Sequence, residues 1–148
     1  MRSSVSVTVE TCTGHRLLNY IGKCMHLHGH NYQWTLTLVG MVDPATGFLV
    51  DFARVKRSLR EVTDPFDHAL VLRHDDPVIP LLRGTEQRLV VLSHNPTAEN
   101  LSACVRDLLQ PLFPDLYVSV SLRETEHCVA EAPYTVSPSG VEVMPHVQ

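Results

Sequence analysis

The sequence predicts a single α+β domain built on a mainly antiparallel sheet. Three observations predict it. Apolar and polar residues alternate in separate short segments, the period of a half-buried strand. Two other segments carry apolar residues at helical spacing behind good N-caps. These segments run strand-strand, helix, helix, strand-strand, and no repeat, low-complexity tract or linker divides them. Residues 1–148 therefore read as one domain, of a length that buries a real core.

Each element has its own signal. Val5, Val7 and Val9 alternate with Ser6, Thr8 and Glu10 to give the first strand. Tyr32 to Val39 alternates again and is rich in aromatic and β-branched residues, giving the second. Asp43-Pro44-Ala45-Thr46-Gly47 is a turn, after which Phe48-Leu49-Val50 reads as a short returning strand. Asp51 caps a helix from Phe52 to about Val62, whose inner face is Phe52, Val55, Leu59 and Val62, and Pro65 closes the region. Arg83 to Gln87 is a polar loop, and Leu89-Val90-Val91-Leu92 is a short buried strand. Thr97 caps the second helix, with Leu101, Val105, Leu108 and Leu112 facing inward until Pro111 and Pro114 end it. Tyr117 to Leu122 alternates as a further clear strand, and Gly140 to Met144 reads as a last short one.

Composition narrows the function classes. A net charge of −4 and a near-neutral pI argue against a protein that binds nucleic acid by neutralising phosphates. No apolar run is long enough to span a membrane and no signal-peptide core follows Met1. Four cysteines without CxxC pairing point to reduced thiols and a cytoplasmic location. The nine histidines stand out against twelve Lys and Arg.

The histidines cluster. His26, His28 and His30 lie in Cys24-Met25-His26-Leu27-His28-Gly29-His30, just before the second strand. Residues two apart on a strand share a face, and a hairpin partner ending at His15 brings a third imidazole alongside. Three neutral imidazoles with one open position is the donor set of a catalytic zinc. Spacing alone leaves His26 in contention, since it has the parity of His28 and His30. Cys24, four residues before His28, is placed to act as a proton-transferring thiolate near a metal. In Asp67-His68 a carboxylate can orient an imidazole. Glu124 lies just beyond the Tyr117–Leu122 strand.

Taken together and in order, Cys24-x-x-x-His28-Gly29-His30-Asn31-Tyr32, Gly47-x-x-x-Asp51-Phe52, Asp67-His68, Asn95-Pro96-Thr97-Ala98-Glu99-Asn100 and Glu124-Thr125 resemble the 6-pyruvoyl-tetrahydropterin synthase / 6-carboxy-tetrahydropterin synthase family. The resemblance spans roughly Val5 to Tyr134. It implies the T-fold, a four-stranded antiparallel sheet with two helices on one face, whose subunits assemble into barrels as trimers or hexamers with inter-subunit active sites. It implies a zinc ion held by His15, His28 and His30, which sets His26 aside. It also implies catalytic roles for Cys24, Asp67 and His68, and a pterin-anchoring carboxylate at Glu124, which can take two N–H bonds from the pterin edge. The expected substrate is a pterin triphosphate, 7,8-dihydroneopterin triphosphate.

Two products occur in the family. The short chain, with its Asn95–Asn100 motif close behind a Val-Val-Leu strand, is more similar to the bacterial 6-carboxy enzymes, which release acetaldehyde and triphosphate and feed queuosine and other 7-deazapurines. The 6-pyruvoyl synthases, and a pterin-binding T-fold protein without turnover, are the alternatives. The chain departs from the family's aromatic-x-Ala-Ala-His pattern, reading Thr11-Cys12-Thr13-Gly14-His15 instead.

Overall fold

The alternation read at the two ends of the first hairpin extends further than the sequence announces. In the computed structural model, which describes residues 1–134, β1 (Arg2–His15) and β2 (His28–Met41) pair antiparallel from Arg2 opposite Met41 to His15 opposite His28. The chain continues through α1 (Phe52–Thr63), β3 (Ala69–Arg73), the single turn α2 (Ile79–Leu82), β4 (Leu89–Leu92), α3 (Ala98–Leu109), β5 (Tyr117–Thr125) and β6 (Cys128–Ala132). The spatial order is β4-β3-β1-β2-β5-β6. Within it, β1, β2, β5 and β6 form the four-stranded antiparallel sheet. The sheet as a whole is mixed, because β3 and β4 add parallel pairs at one side, β3 meeting β1 only at Thr13–His15. The outer edge of β1 from Arg2 to Thr11, and the outer edge of β6, have no strand partner among the described residues.

One face of the sheet carries the core. Tyr32, Trp34, Leu36 and Leu38 of β2 are fully buried, with Val118, Val120 and Leu122 of β5 beside them. Val55 and Leu59 of α1 and Leu101, Val105 and Leu109 of α3 pack down on them. Each such side chain contributes roughly 1.5–3 kcal/mol of hydrophobic stabilisation. The opposite face is polar, with Ser6 bonded to Thr37 and Thr8 to Thr35 across the strands, each at 2.8 Å. Both helix caps form as their residues dictate: Asp51 accepts the Ala53 N–H at 2.8 Å, and Thr97 accepts the Asn100 N–H at 3.3 Å. No helix among the described residues is long and apolar enough to cross a membrane.

Several expected details differ. Phe48–Val50 is a bend and not a strand, because the Asp43 carboxylate gathers the Ala45 N–H and the Thr46 hydroxyl into a tight turn. Phe48 is left exposed. Phe52, at the first turn of α1, is also exposed, and Thr63 extends the buried row instead. On α3, Leu108 and Leu112 point outward; the helix tightens into a 3-10 turn at Gln110–Leu112, so Leu109 and Phe113 fill the core. The strands β3 and β6 are additional. The expected Gly140–Met144 strand lies outside the described residues.

The departure at Thr11-Cys12-Thr13-Gly14 has a structural counterpart. Thr11 and Thr13 face the core and are buried. The Trp34 indole N–H donates to Thr11 Oγ1 at 2.9 Å, Thr11 and Thr13 share a hydroxyl bond of 2.8 Å, and Thr13 donates to the Phe66 carbonyl at 3.0 Å. This ladder fastens β1 to the turn that precedes Asp67. Thr11→Val keeps the shape but strips the acceptor from a buried N–H, so denaturant unfolding should show a loss of about 1–3 kcal/mol. A stability equal to the parent would remove the ladder from the account.

Candidate active site

The β1–β2 register carries the histidines together. His15 lies opposite His28, Thr13 opposite His30, and Gly14 opposite Gly29. A side chain at residue 29 would meet the Thr13 carbonyl at 3.1 Å, so glycine lets the strands close between the two histidines. One ring nitrogen from each of His15, His28 and His30 falls within 4.8 Å of the others. His15 is 2% exposed and the other two are half-buried. His26 is outside this group and contributes its carbonyl instead, which accepts from His28 Nδ1 at 2.7 Å.

Hydrogen bonding sets the tautomers. His15 Nδ1 is 2.8 Å from the Pro96 carbonyl, which can only accept. The same holds for His28 Nδ1 and the His26 carbonyl. With both Nδ1 protons committed, the two Nε2 atoms present lone pairs to each other across 3.1 Å. Two lone pairs do not bond; they converge on a position that a shared cation could take. Burial lowers the His15 pKa from its ordinary value and so opposes a shared proton, although the Pro96 carbonyl and Glu124 work against that shift. A metal ion of the borderline softness that suits imidazole fits this donor set, and the paired backbone carbonyls are the outer partners such ligands require.

The Pro96 carbonyl is held by a clamp. Asn95 bonds Leu18 in both directions, accepting its N–H at 2.9 Å and donating to its carbonyl at 2.8 Å. Asn100, inside the capped helix α3, donates to the Asn95 carbonyl at 2.9 Å. The Asn95–Asn100 motif thus ties the start of α3 to the end of β1.

Cys24 and Glu124 join His15 around one cleft of about 530 Å³, which Tyr20, His127 and Cys128 also line. Cys24 sits in a single 3-10 turn, Lys23–Met25, and its carbonyl accepts the Leu17 N–H at 2.8 Å, which folds the loop back on itself. Glu124 lies at an irregularity in the β5–β6 pairing. Its Oε1 is 3.1 Å from the Tyr32 hydroxyl and 3.9 Å from His15 Nε2. Burial and the Glu124 carboxylate push the Tyr32 phenol far above its ordinary pKa, so Tyr32 remains a donor.

Asp67 and His68 are elsewhere in the chain's own structure. They line separate cavities, His68 facing one of about 420 Å³ with Cys12, Gly14 and Gly29. Asp67 accepts the Cys12 N–H at 2.8 Å and lies 3.2 Å from His68 Nδ1. The Cys12 N–H, with help from His68 and Arg88, holds the Asp67 carboxyl below its usual range. The His68 backbone has φ of +52° and donates to the Cys12 carbonyl at 2.6 Å, and its side chain is 78% exposed. The pair is therefore preformed, and it lines cavities other than the Cys24 cleft. Sequence reasoning gave no role to Tyr32, the Pro96 carbonyl, His127 or Cys128. Tyr32 and Pro96 stood inside recognised motifs, but a carbonyl carries no side-chain signal.

A profile of the family described as 6-pyruvoyl tetrahydropterin synthase matches residues 4–134. A 6-carboxy-5,6,7,8-tetrahydropterin synthase of Rickettsia typhi is 32% identical over 133 residues, covering 83% of this chain and 94% of that protein. A 6-pyruvoyl tetrahydrobiopterin synthase of Pongo abelii is 30% identical over 140 residues, covering 85% and 88%. The crystal structure of a 6-pyruvoyl tetrahydropterin synthase from Plasmodium vivax shares the fold with a TM-score of 0.73, at 19% identity over 89% of this chain and 97% of that one.

Proposed function

The chain belongs to the 6-pyruvoyl tetrahydropterin synthase family, and on that premise we propose that it converts 7,8-dihydroneopterin triphosphate to 6-carboxy-5,6,7,8-tetrahydropterin, releasing acetaldehyde and triphosphate. The observation that carries this reading is the single cleft shared by His15, Cys24 and Glu124. His15, His28 and His30, whose ring nitrogens converge, would hold a zinc ion. Bound there, zinc would supply a Lewis acid for the substrate's hydroxylated side chain. Glu124 receives the N–H edge of the pterin through its carboxylate, a charge-assisted contact. Cys24 moves a proton at the substrate side chain from the facing wall of the cleft. The product suits a pathway to queuosine or another 7-deazapurine, and the four free thiols suit the cytoplasm.

The Asp67–His68 pair completes this machinery from a neighbouring subunit. Two observations support that arrangement. His68 and Cys24 line different cavities of one chain. The β1 edge from Arg2 to Thr11 and the β6 edge are both open to strand pairing, so copies can join edge to edge into a closed trimeric barrel, alone or stacked as a hexamer. His68, preformed by Asp67 and exposed, then supplies or accepts the complementary proton.

Incubation of the zinc-loaded protein with dihydroneopterin triphosphate should yield acetaldehyde and a 6-carboxy product by mass spectrometry. A retained three-carbon side chain would select the 6-pyruvoyl reaction, which the Pongo abelii relative keeps in view at similar identity. Binding without turnover would leave a pterin-binding protein. The shared site has its own test. Cys24→Ala and His68→Ala should each be inactive, and mixing them under subunit exchange should restore part of the activity. No recovery would return both residues to one chain's site.

A further inference from the structure

Between the histidine cluster and Glu124 stands one buried residue to which neither the family reading nor the reaction assigns a part. Tyr32 is 0% exposed, and its hydroxyl lies 3.1 Å from His15 Nδ1 and 3.1 Å from Glu124 Oε1. Its ring stacks on His30 with centroids 5.4 Å apart and planes at 27°. It therefore touches two of the three histidines and the carboxylate at once.

The proton inventory gives this contact a direction. The His15 Nδ1 proton points to the Pro96 carbonyl, and the Tyr32 oxygen, at similar distances from both ring nitrogens, lies against the ring edge between them and off that N–H. Tyr32 then has its own proton to give, and Glu124 is the acceptor. The reverse assignment, in which Tyr32 donates to His15 Nε2 at 3.3 Å, would take the lone pair that faces His28 and leave Glu124 without a donor from Tyr32. Donation to Glu124 gives the carboxylate its donor and keeps the Nε2 atoms available for a cation.

We propose that Tyr32 is a positioning residue that couples the metal centre to the pterin anchor, packing against His15 and His30 while donating to Glu124 so that the carboxylate is held in one orientation toward the cleft. The proposal rests on the reading of Glu124 as the pterin anchor. It adds that Glu124 does not act alone: one oxygen is fixed by Tyr32 while the other stays free for the ligand. Loss of the Tyr32 hydroxyl releases the carboxylate to rotate, and the ligand must then reorder it.

The test uses the zinc-loaded, full-length oligomer with neopterin, a pterin without the triphosphate, as the probe. Tyr32→Phe retains the ring stacked on His30, so zinc stoichiometry and thermal unfolding should match the parent. Neopterin should bind about ten-fold more weakly. In a Glu124→Ala background, which is itself weakened, adding Tyr32→Phe should change nothing further, because the group that Tyr32 positions is gone. With cobalt in place of zinc, Tyr32→Phe should also shift the visible bands, since a polar hydroxyl against the His15 ring is removed. Parental neopterin affinity in Tyr32→Phe overturns the coupling. So does an equal loss with and without Glu124, which marks a merely structural role. An unfolded Tyr32→Phe would overturn it in favour of a structural role as well. If the parent protein binds no neopterin, the pterin reading fails and the coupling falls with it. If the parent binds and Glu124→Ala weakens binding while Tyr32→Phe does not, only the coupling fails.

Discussion

Two ring protons given to two backbone carbonyls set the character of the whole site. His15 spends its Nδ1 proton on Pro96 and His28 spends its own on His26, which leaves both Nε2 lone pairs turned toward the same space. This arrangement depends on three separate parts of the chain. The antiparallel register puts the two histidines opposite each other. Glycine at 29 allows close approach to the Thr13 backbone, and glycine at 14 leaves room for Leu70 of β3. The Asn95 clamp brings the start of α3 against the end of β1 and delivers the Pro96 carbonyl. A shift of one residue in the register would send His28 and His30 to the other face and dissolve the cluster. The fold is best understood as what holds those lone pairs in place.

Much of this was legible in the residues. The alternation over Val5–Val9 and Tyr32–Val39 located the hairpin, and both N-caps formed at Asp51 and Thr97. The three histidines predicted to converge do converge, and the His26 ambiguity is resolved by a carbonyl, which no side-chain pattern encodes. What escaped reading has physical reasons. Ala69–Arg73 has no alternation because both of its faces are covered, with the adjacent Val71 and Leu72 both fully buried, and Cys128–Ala132 is a short edge strand of modest propensity. Leu112 fits an ideal helical stripe, but the helix stops being ideal before reaching it. The partnership of Tyr32 with Glu124 joins residues far apart in sequence, and only the β2–β5 pairing brings them together.

The candidate residues are distributed over two cavities in a way that composition could not reveal. Cys24 and Glu124 open onto one cleft, whereas His68 projects into another. The Thr11–Thr13 ladder contributes here, since it anchors the Phe66 carbonyl one residue before Asp67. A buried hydroxyl relay in place of apolar packing makes the strand less forgiving of substitution, yet it gives Asp67 and His68 a rigid base. Rigidity of that kind matters if the pair must meet a cleft on another copy, because subunit docking cannot correct a disordered loop without an entropic cost.

In the proposed site imidazole nitrogens alone would hold the metal, leaving Cys24 free for proton transfer. X-ray absorption at the zinc edge, on the protein loaded with one equivalent of zinc, addresses this without reference to turnover. The predicted first shell is three imidazole nitrogens at about 2.0–2.1 Å with a further light atom in the fourth position. A sulfur scatterer at about 2.3 Å would make Cys24 a ligand and contradict the account.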